Sequence, residues 1–169
     1  MKVYVDTCVL SRLLDMNISN DNLDALDKIS QLNSVQLVTS QKTLEEFMAT
    51  TNPKRMKTLK ILYTFIQKVQ HNKVSYEGPA TFGSVLWGSA PFGGGMTTEK
   101  KEFKDLKAIF ETADAVHIYQ ALSNKCEYFL TLDEKTILIR AKNKASELKK
   151  VVFSMELGNP KDLKKRLSI

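Results

Sequence analysis

Asp6, Glu46, Asp114 and Asp133 are the residues whose types and spacing point to chemistry. Asp6 stands where the apolar run Val3-Tyr4-Val5 stops, and Asp133 follows a second such run, Tyr128-Phe129-Leu130. Glu45 and Glu46 fall about a turn and a half into the helix expected after Val35–Val38, and Asp114 in the first turn of another. Taken singly, each acid has an ordinary role: Asp6 and Asp114 suit helix N-termini, and Asp133 suits a turn. Taken together at one edge of a sheet, their charges repel, and without a counter-ion at least one would be forced to hold a proton. Hard carboxylate oxygens suit Mg²⁺ or Mn²⁺. A divalent cation so held activates water and stabilises the attacking and leaving oxygens of an in-line phosphodiester displacement. The combination implies a metal-dependent nuclease.

The elements that must deliver these acids alternate between strand and helix. Val3-Tyr4-Val5 is apolar without alternation, which marks a strand buried on both faces, and Val9, Leu10, Leu13 and Leu14 continue at helical spacing. Ser19–Asp21 cap a helix bearing Leu23, Leu26, Ile29 and Leu32. The strand Val35–Val38 leads through Ser40, an N-cap, into a helix with Leu44, Phe47 and Met48 on its apolar face. Asn52-Pro53 opens a helix whose apolar positions run from Met56 to Val69. Lys54, Arg55, Lys57 and Lys60 crowd its first turns, where positive charge opposes the helix dipole. A solvated face is the plain reading of those bases, and a polyanion contact the sharper one.

Further on, Glu99–Phe110 and Ala115–Ser123 read as helices, Tyr128–Leu130 as a strand and Ile137–Leu148 as a helix. Val151-Val152-Phe153 reads as a last buried strand, before a short basic helix from Asn159-Pro160. The pattern predicts a three-layer α/β/α sandwich around a mainly parallel sheet, and a single domain over residues 1–169. Ligands of such sheets sit beyond the carboxyl ends of the strands, where the four acids fall. Residues 76–98 interrupt the pattern with glycines, Pro79, Pro91, Tyr76, Phe82, Trp87 and Phe92. They form either a functional loop or one packed on its own domain.

Composition narrows the classes. Lys and Arg number 25 against 19 acids, a net charge of +6 that favours a polyanionic partner. No apolar run reaches the ~20 residues of a membrane span, and no signal peptide is expected, which points to the cytoplasm. Cys8 and Cys126 lack zinc-type spacing and are expected as buried free thiols. An Asp-nucleophile phosphatase needs a second Asp two residues after Asp6, where Cys8 stands.

Helix geometry does not by itself decide between Glu45 and Glu46. With Leu44 at the centre of the buried face, Glu45 lies about 100° round and Glu46 about 200°. Core proximity favours Glu45. Glu46 instead shares a stripe with Thr43 and Thr50, whose short side chains would leave it open to a polar cleft. His117, one turn after Asp114, reads as a packed, hydrogen-bonded histidine, with orientation of a water or phosphate as its alternative role. Arg12 and Lys135 are candidate phosphate contacts, and Thr7 and Thr131 candidate auxiliaries beside the acids.

Val3-Tyr4-Val5-Asp6-Thr7, Ser40-Gln41-Lys42-Thr43-Leu44-Glu45-Glu46-Phe47, Ala113-Asp114-Ala115-Val116-His117 and Tyr128-Phe129-Leu130-Thr131-Leu132-Asp133-Glu134-Lys135, in this order, resemble the PIN domain ribonucleases, among them the toxins of VapBC toxin–antitoxin pairs. The likeness covers most of the chain. It implies a central parallel sheet between helical layers and an acidic Mg²⁺/Mn²⁺ site that cleaves RNA. It places the family's acids at Asp6, Glu46, Asp114 and Asp133, and so favours Glu46 over Glu45. An antitoxin partner and a homodimer are the assemblies it implies. The chain departs from the family where Cys8 replaces Asn or Ser, which predicts a lost polar contact to Asp6. It departs again at Leu132, often Asn, and in 76–98, which looks like an insertion. The alternative function is a catalytically inactive PIN-like module that binds RNA or protein.

Overall fold

The computed structural model describes residues 1–78 and 96–169, with the backbone alone for 76–78 and 96–98. In chain order the elements are β1 (Lys2–Val5), α1 (Thr7–Leu14), α2 (Asn20–Ser30), β2 (Gln36–Thr39), α3 (Gln41–Met48), α4 (Pro53–Phe65) and β3 (Gln67–Lys68). β4 (Ser75–Gly78) and β5 (Met96–Glu99) pair antiparallel. The rest of the predicted insertion lies outside the described residues. Then come α5 (Lys101–Lys107), α6 (Thr112–Ser123), β6 (Tyr128–Leu130), a π-helical turn (Glu134–Leu138), α7 (Ile139–Asn143), α8 (Ala145–Val151), β7 (Glu156–Gly158) and α9 (Pro160–Leu167).

The main sheet has five strands in the order β3-β2-β1-β6-β7, and every pairing in it is parallel. β1 is central, as its uninterrupted apolar run requires. Its side chains alternate between the two faces. Val3 and Val5 pack with Val9, Leu10, Leu26, Ile29 and Leu163, so α1, α2 and α9 cover one face. Tyr4 packs with Phe103, Leu106, Ile118, Phe129 and Leu148, so α5, α6 and α8 cover the other. The α/β architecture with helices on both sides of a parallel sheet is as the strand–helix alternation predicts.

The register places the acids. Val5 pairs with Leu130 and Tyr4 with Val38, so Asp6, Thr131 and Ser40 emerge side by side at the carboxyl edge. The Asp6 N–H donates to Leu130 O at 3.0 Å, which carries the ladder one residue past the strand.

Several boundaries differ from expectation. The last strand is Glu156–Gly158; Val151 ends α8, and Phe153 is 85% exposed. Val151 and Val152 close α8 and join the core cluster that holds Leu148 and Met155, while Gly158 lets the Tyr128 ring approach the last strand. A Cβ at Gly158 would collide with the Tyr128 hydroxyl. The helix expected to reach Val69 stops at Phe65, because Ile66 turns extended and Gln67–Lys68 pairs with β2. The helix expected over Ile137–Leu148 is divided at Lys144. The one expected from Glu99 begins at Lys101, since Glu99 belongs to β5.

Of the basic cluster on α4, Arg55 grips Asp15 with two hydrogen bonds, at 2.6 and 3.1 Å. That bidentate pair ties the start of α4 to the end of α1 and gives this base a structural role. Among the described residues no helix is long and apolar enough to cross a membrane.

Candidate active site

Asp6 occupies the N-cap position of α1, yet its side chain makes no capping bond. The carboxylate, in a residue only 5% exposed, turns instead toward β6. Its Oδ2 accepts the Thr131 hydroxyl at 2.7 Å and the Cys8 thiol at 3.0 Å. Thr131 Oγ1 in turn accepts the Asp133 N–H at 3.0 Å. One hydroxyl therefore binds the Asp6 carboxylate and the backbone of Asp133 together. The predicted loss of a polar contact at Cys8 does not occur. The thiol donates to Asp6 and its sulfur accepts the Leu132 N–H at 3.2 Å, so it does the work of a small polar side chain. Both cysteines are free; Cys126 is buried as expected, whereas Cys8 is partly exposed. Burial, and then the Asp6 charge, push the Cys8 thiol far up.

Asp133 does cap: its Oδ1 accepts the Thr136 N–H at 2.8 Å at the start of the π-helical turn. Asp114 sits in the first turn of α6, half-buried. Burial raises its proton affinity, and the charges of Asp6, Asp133 and Glu111 raise it further, against a hydrogen bond from Thr136 that lowers it. Asp114 thus senses the charge of both other aspartates.

Glu46 takes a different partner. Its Oε1 lies 3.0 Å from His117 Nε2 and 3.6 Å from Lys42 Nζ, one turn back on α3. Burial would raise the Glu46 carboxyl, but the hydrogen bond and charge of His117, then Thr7 and Lys42, bring it below the usual carboxylate value. Burial would lower His117, yet its bond to Glu46 and the charges of Asp6 and Glu46 hold it above the usual imidazole value. Glu45 is exposed. The buried face of α3 is centred on Thr43 and Phe47 rather than on Leu44, and this turns Glu46 inward and Glu45 out. His117 is near enough to both Asp6 and Glu46 for the charge of each to raise it.

His117 is packed and hydrogen-bonded, only 3% exposed. Its Nδ1 lies 2.8 Å from the Tyr4 hydroxyl, which lies 2.6 Å from Ser40 Oγ. Thr7 Oγ1 is 3.3 Å from His117 Nε2 and 3.5 Å from Thr43 Oγ1, and Thr43 bonds Thr39 at 2.8 Å. Tyr4, Thr39, Ser40 and Lys42 are members of the site that sequence reasoning missed, while Thr43 was placed only as a small neighbour of Glu46 and not as a hydrogen-bonding group. One signal was available: a tyrosine inside a fully buried strand needs a partner for its hydroxyl. Ser40, expected to cap α3, makes no capping bond and spends its hydroxyl on Tyr4. Arg12 and Lys135, both exposed, line a cleft with Asp133, Glu134 and Thr136.

In chemical kind the donors fit a hard divalent cation: carboxylate oxygens whose mutual repulsion a cation would relieve. In placement they stand apart. Among the described residues, no three His, Cys, Asp or Glu side chains converge closely enough to hold a metal ion. No family model, curated protein or solved structure matches the chain.

Proposed function

We propose that the chain is a PIN-like, Mg²⁺- or Mn²⁺-dependent endoribonuclease whose site is Asp6, Glu46, Asp114 and Asp133. The observation that carries this reading is the Thr131 hydroxyl, which binds the Asp6 carboxylate and the Asp133 backbone together at the carboxyl edge of the sheet. An aspartate that merely started a helix would cap it, and Asp6 does not. A bound divalent cation would supply water activation and charge neutralisation for phosphodiester hydrolysis. Asp6, held by Thr131 and Cys8, would present one fixed carboxylate to it. Asp114 and Asp133 would complete the acidic group, while Arg12 and Lys135 would hold substrate phosphates beside Asp133. The resemblance to VapBC toxins adds an antitoxin and a second copy of the chain as proposed partners.

A second reading, a PIN-like module that binds RNA or protein without cutting, draws on the separation of the acidic side chains. Incubating labelled RNA with the protein and Mn²⁺ or Mg²⁺, with and without chelator, separates the two. The ribonuclease reading expects cation-dependent cleavage that Asp6→Asn abolishes. RNA binding with no cleavage at any cation concentration would establish the module instead.

A further inference from the structure

We propose that the apolar groove between α2 and α4 seats a second copy of this chain, the two copies joined face to face across a two-fold axis. The second copy named above thereby gains a surface, and the pairing stands on that surface whether or not the chain cuts RNA.

The groove encloses about 340 Å³. Leu10 and Leu13 of α1 lie along its floor, Leu23 and Leu26 of α2 on one wall, and Leu62 and Phe65 of α4 on the other. Apolar surface continues past the rim, where Phe65 is 82% exposed and Ile61 57%. Groove and exposed ring lie side by side, so each copy offers both a socket and a knob. Apolar surface this continuous marks an interaction site. An aromatic anchor seated in the partner's pocket is the usual centre of such an interface.

The two rims carry opposite charge. Along α4, Lys54, Lys57, Ile61 and Phe65 follow one another at steps of three and four, so both lysines share the exposed stripe that bears the ring. Along α2, Leu23, Asp24 and Asp27 form the corresponding stripe, and Asp27 itself lines the groove. All four charged residues are exposed. A basic rim facing an acidic rim across a socket is self-complementary: a two-fold rotation lays α2 of each copy over α4 of the other. Asp24 and Asp27 of each copy then meet Lys54 and Lys57 of the other, and each Phe65 enters the opposite groove. Exposed ion pairs add little energy. Their part is to set the register of an interface that the apolar groove stabilises. A foreign segment would have to bring both charges in matching order, whereas a second copy carries them already.

The test is analytical ultracentrifugation of the full chain over a dilution series, at low and at high salt. Wild type is expected to dimerise, and more tightly at low salt, where the rim charges are less screened. Phe65→Ser should weaken the dimer by about tenfold or more, as loss of a central aromatic anchor does. Asp24→Lys combined with Asp27→Lys should weaken it at least as much, and so should Lys54→Glu combined with Lys57→Glu, because each pair of changes sets like charges together at both rims. Mixed in equal amounts, the two charge-reversed proteins should dimerise again, since the rims of each then complement those of the other.

Wild type that sediments as a monomer throughout overturns the pairing and leaves the groove to another partner. A dimer that Phe65→Ser leaves unchanged also overturns it, since the copies would then meet elsewhere. So does a mixture of the two charge-reversed proteins that stays monomeric, because two-fold pairing requires recovery. If either reversed protein does not fold, Phe65→Ser decides. RNA cleavage is read separately on wild type: a monomer that cleaves leaves the ribonuclease reading standing, and a dimer that passes these tests without cleaving leaves the pairing standing alone.

Discussion

His117 Nε2 stands 3.0 Å from Glu46 Oε1, across the gap between α6 and α3, and each residue shifts the other's titration. Glu46 is held below its ordinary value of 4.5 and His117 above its ordinary 6.5. By linkage, the Glu46 contribution to stability is present above about pH 4.5 and is lost as pH falls through the lowered value. The His117 contribution is complete below about pH 6.5 and is lost as pH rises through the raised one. Both are in force between about pH 4.5 and 6.5. Urea unfolding in chelator should therefore show the largest advantage of wild type over Glu46→Gln in that window, declining on either side. A wild-type advantage that does not decline at alkaline pH would mean His117 is not charged against Glu46.

Glu45 and Glu46 make an internal control. Glu45 is exposed, while Glu46 is half-buried against His117. Glu46→Gln should lower cation-dependent cleavage by about a hundredfold or more, the usual cost of removing a preorganised electrostatic group. Glu45→Gln should leave cleavage within about twofold of wild type and stability within about 0.5 kcal/mol, as surface substitutions do. Initial rates on one labelled RNA at saturating Mn²⁺ check both. Equal losses would mean that α3 presents a different face.

The contrast between those two glutamates shows where sequence reading stops. The apolar runs Val3–Val5 and Tyr128–Leu130 announce buried parallel strands, and the acids that follow them reach one edge. β3 and β7 gave no such signal: Gln67–Lys68 is a two-residue exposed edge, and Glu156-Leu157-Gly158 has one apolar side chain. Val151-Val152 carried the stronger strand signal, yet its place in the chain made it a helix end. On α3, periodicity counted Leu44 as the centre of the buried face because leucine is apolar. The buried centre includes Thr43, which is satisfied by Thr39 and Thr7 hydroxyls that no helical periodicity reveals. The Ser40–Tyr4–His117 chain was hidden for the same reason, since its hydrogen bonds span sequence separations of 36 and 113.

Cys8 serves as donor to Asp6 and acceptor for Leu132 N–H. Cys8→Ala removes both and leaves the Leu132 amide unpaired in a buried residue, at a cost of about 1–3 kcal/mol. Cys8→Ser restores a donor and an acceptor and should cost less than Cys8→Ala. Urea unfolding of the three proteins measures the order. Since burial and the Asp6 charge push the thiol up, native Cys8 should also react with a thiol reagent far more slowly at pH 8 than the urea-unfolded chain does.

Asp114 offers a test of the acidic group that does not depend on cleavage. Its carboxyl titrates above the ordinary value of 3.8, chiefly through burial, with the charges of Asp6, Asp133 and Glu111 adding to it. The folded chain therefore binds that proton more tightly than the unfolded chain. By linkage, stability falls as pH rises from about 3.8 through the raised value, and the deficit is fully present at neutral pH. Asp114→Asn keeps the shape, removes the charge and should raise Tm at pH 7.5 in chelator by about 1–3 °C. The gain should shrink toward zero as pH falls well below 3.8, where wild-type Asp114 is protonated in both states. Adding Mn²⁺ should then raise the Tm of wild type more than that of the variant, because a ligand stabilises in proportion to its affinity for the folded state. An Asp114→Asn chain that melts lower at pH 7.5 and responds equally to Mn²⁺ would show that Asp114 serves α6 alone.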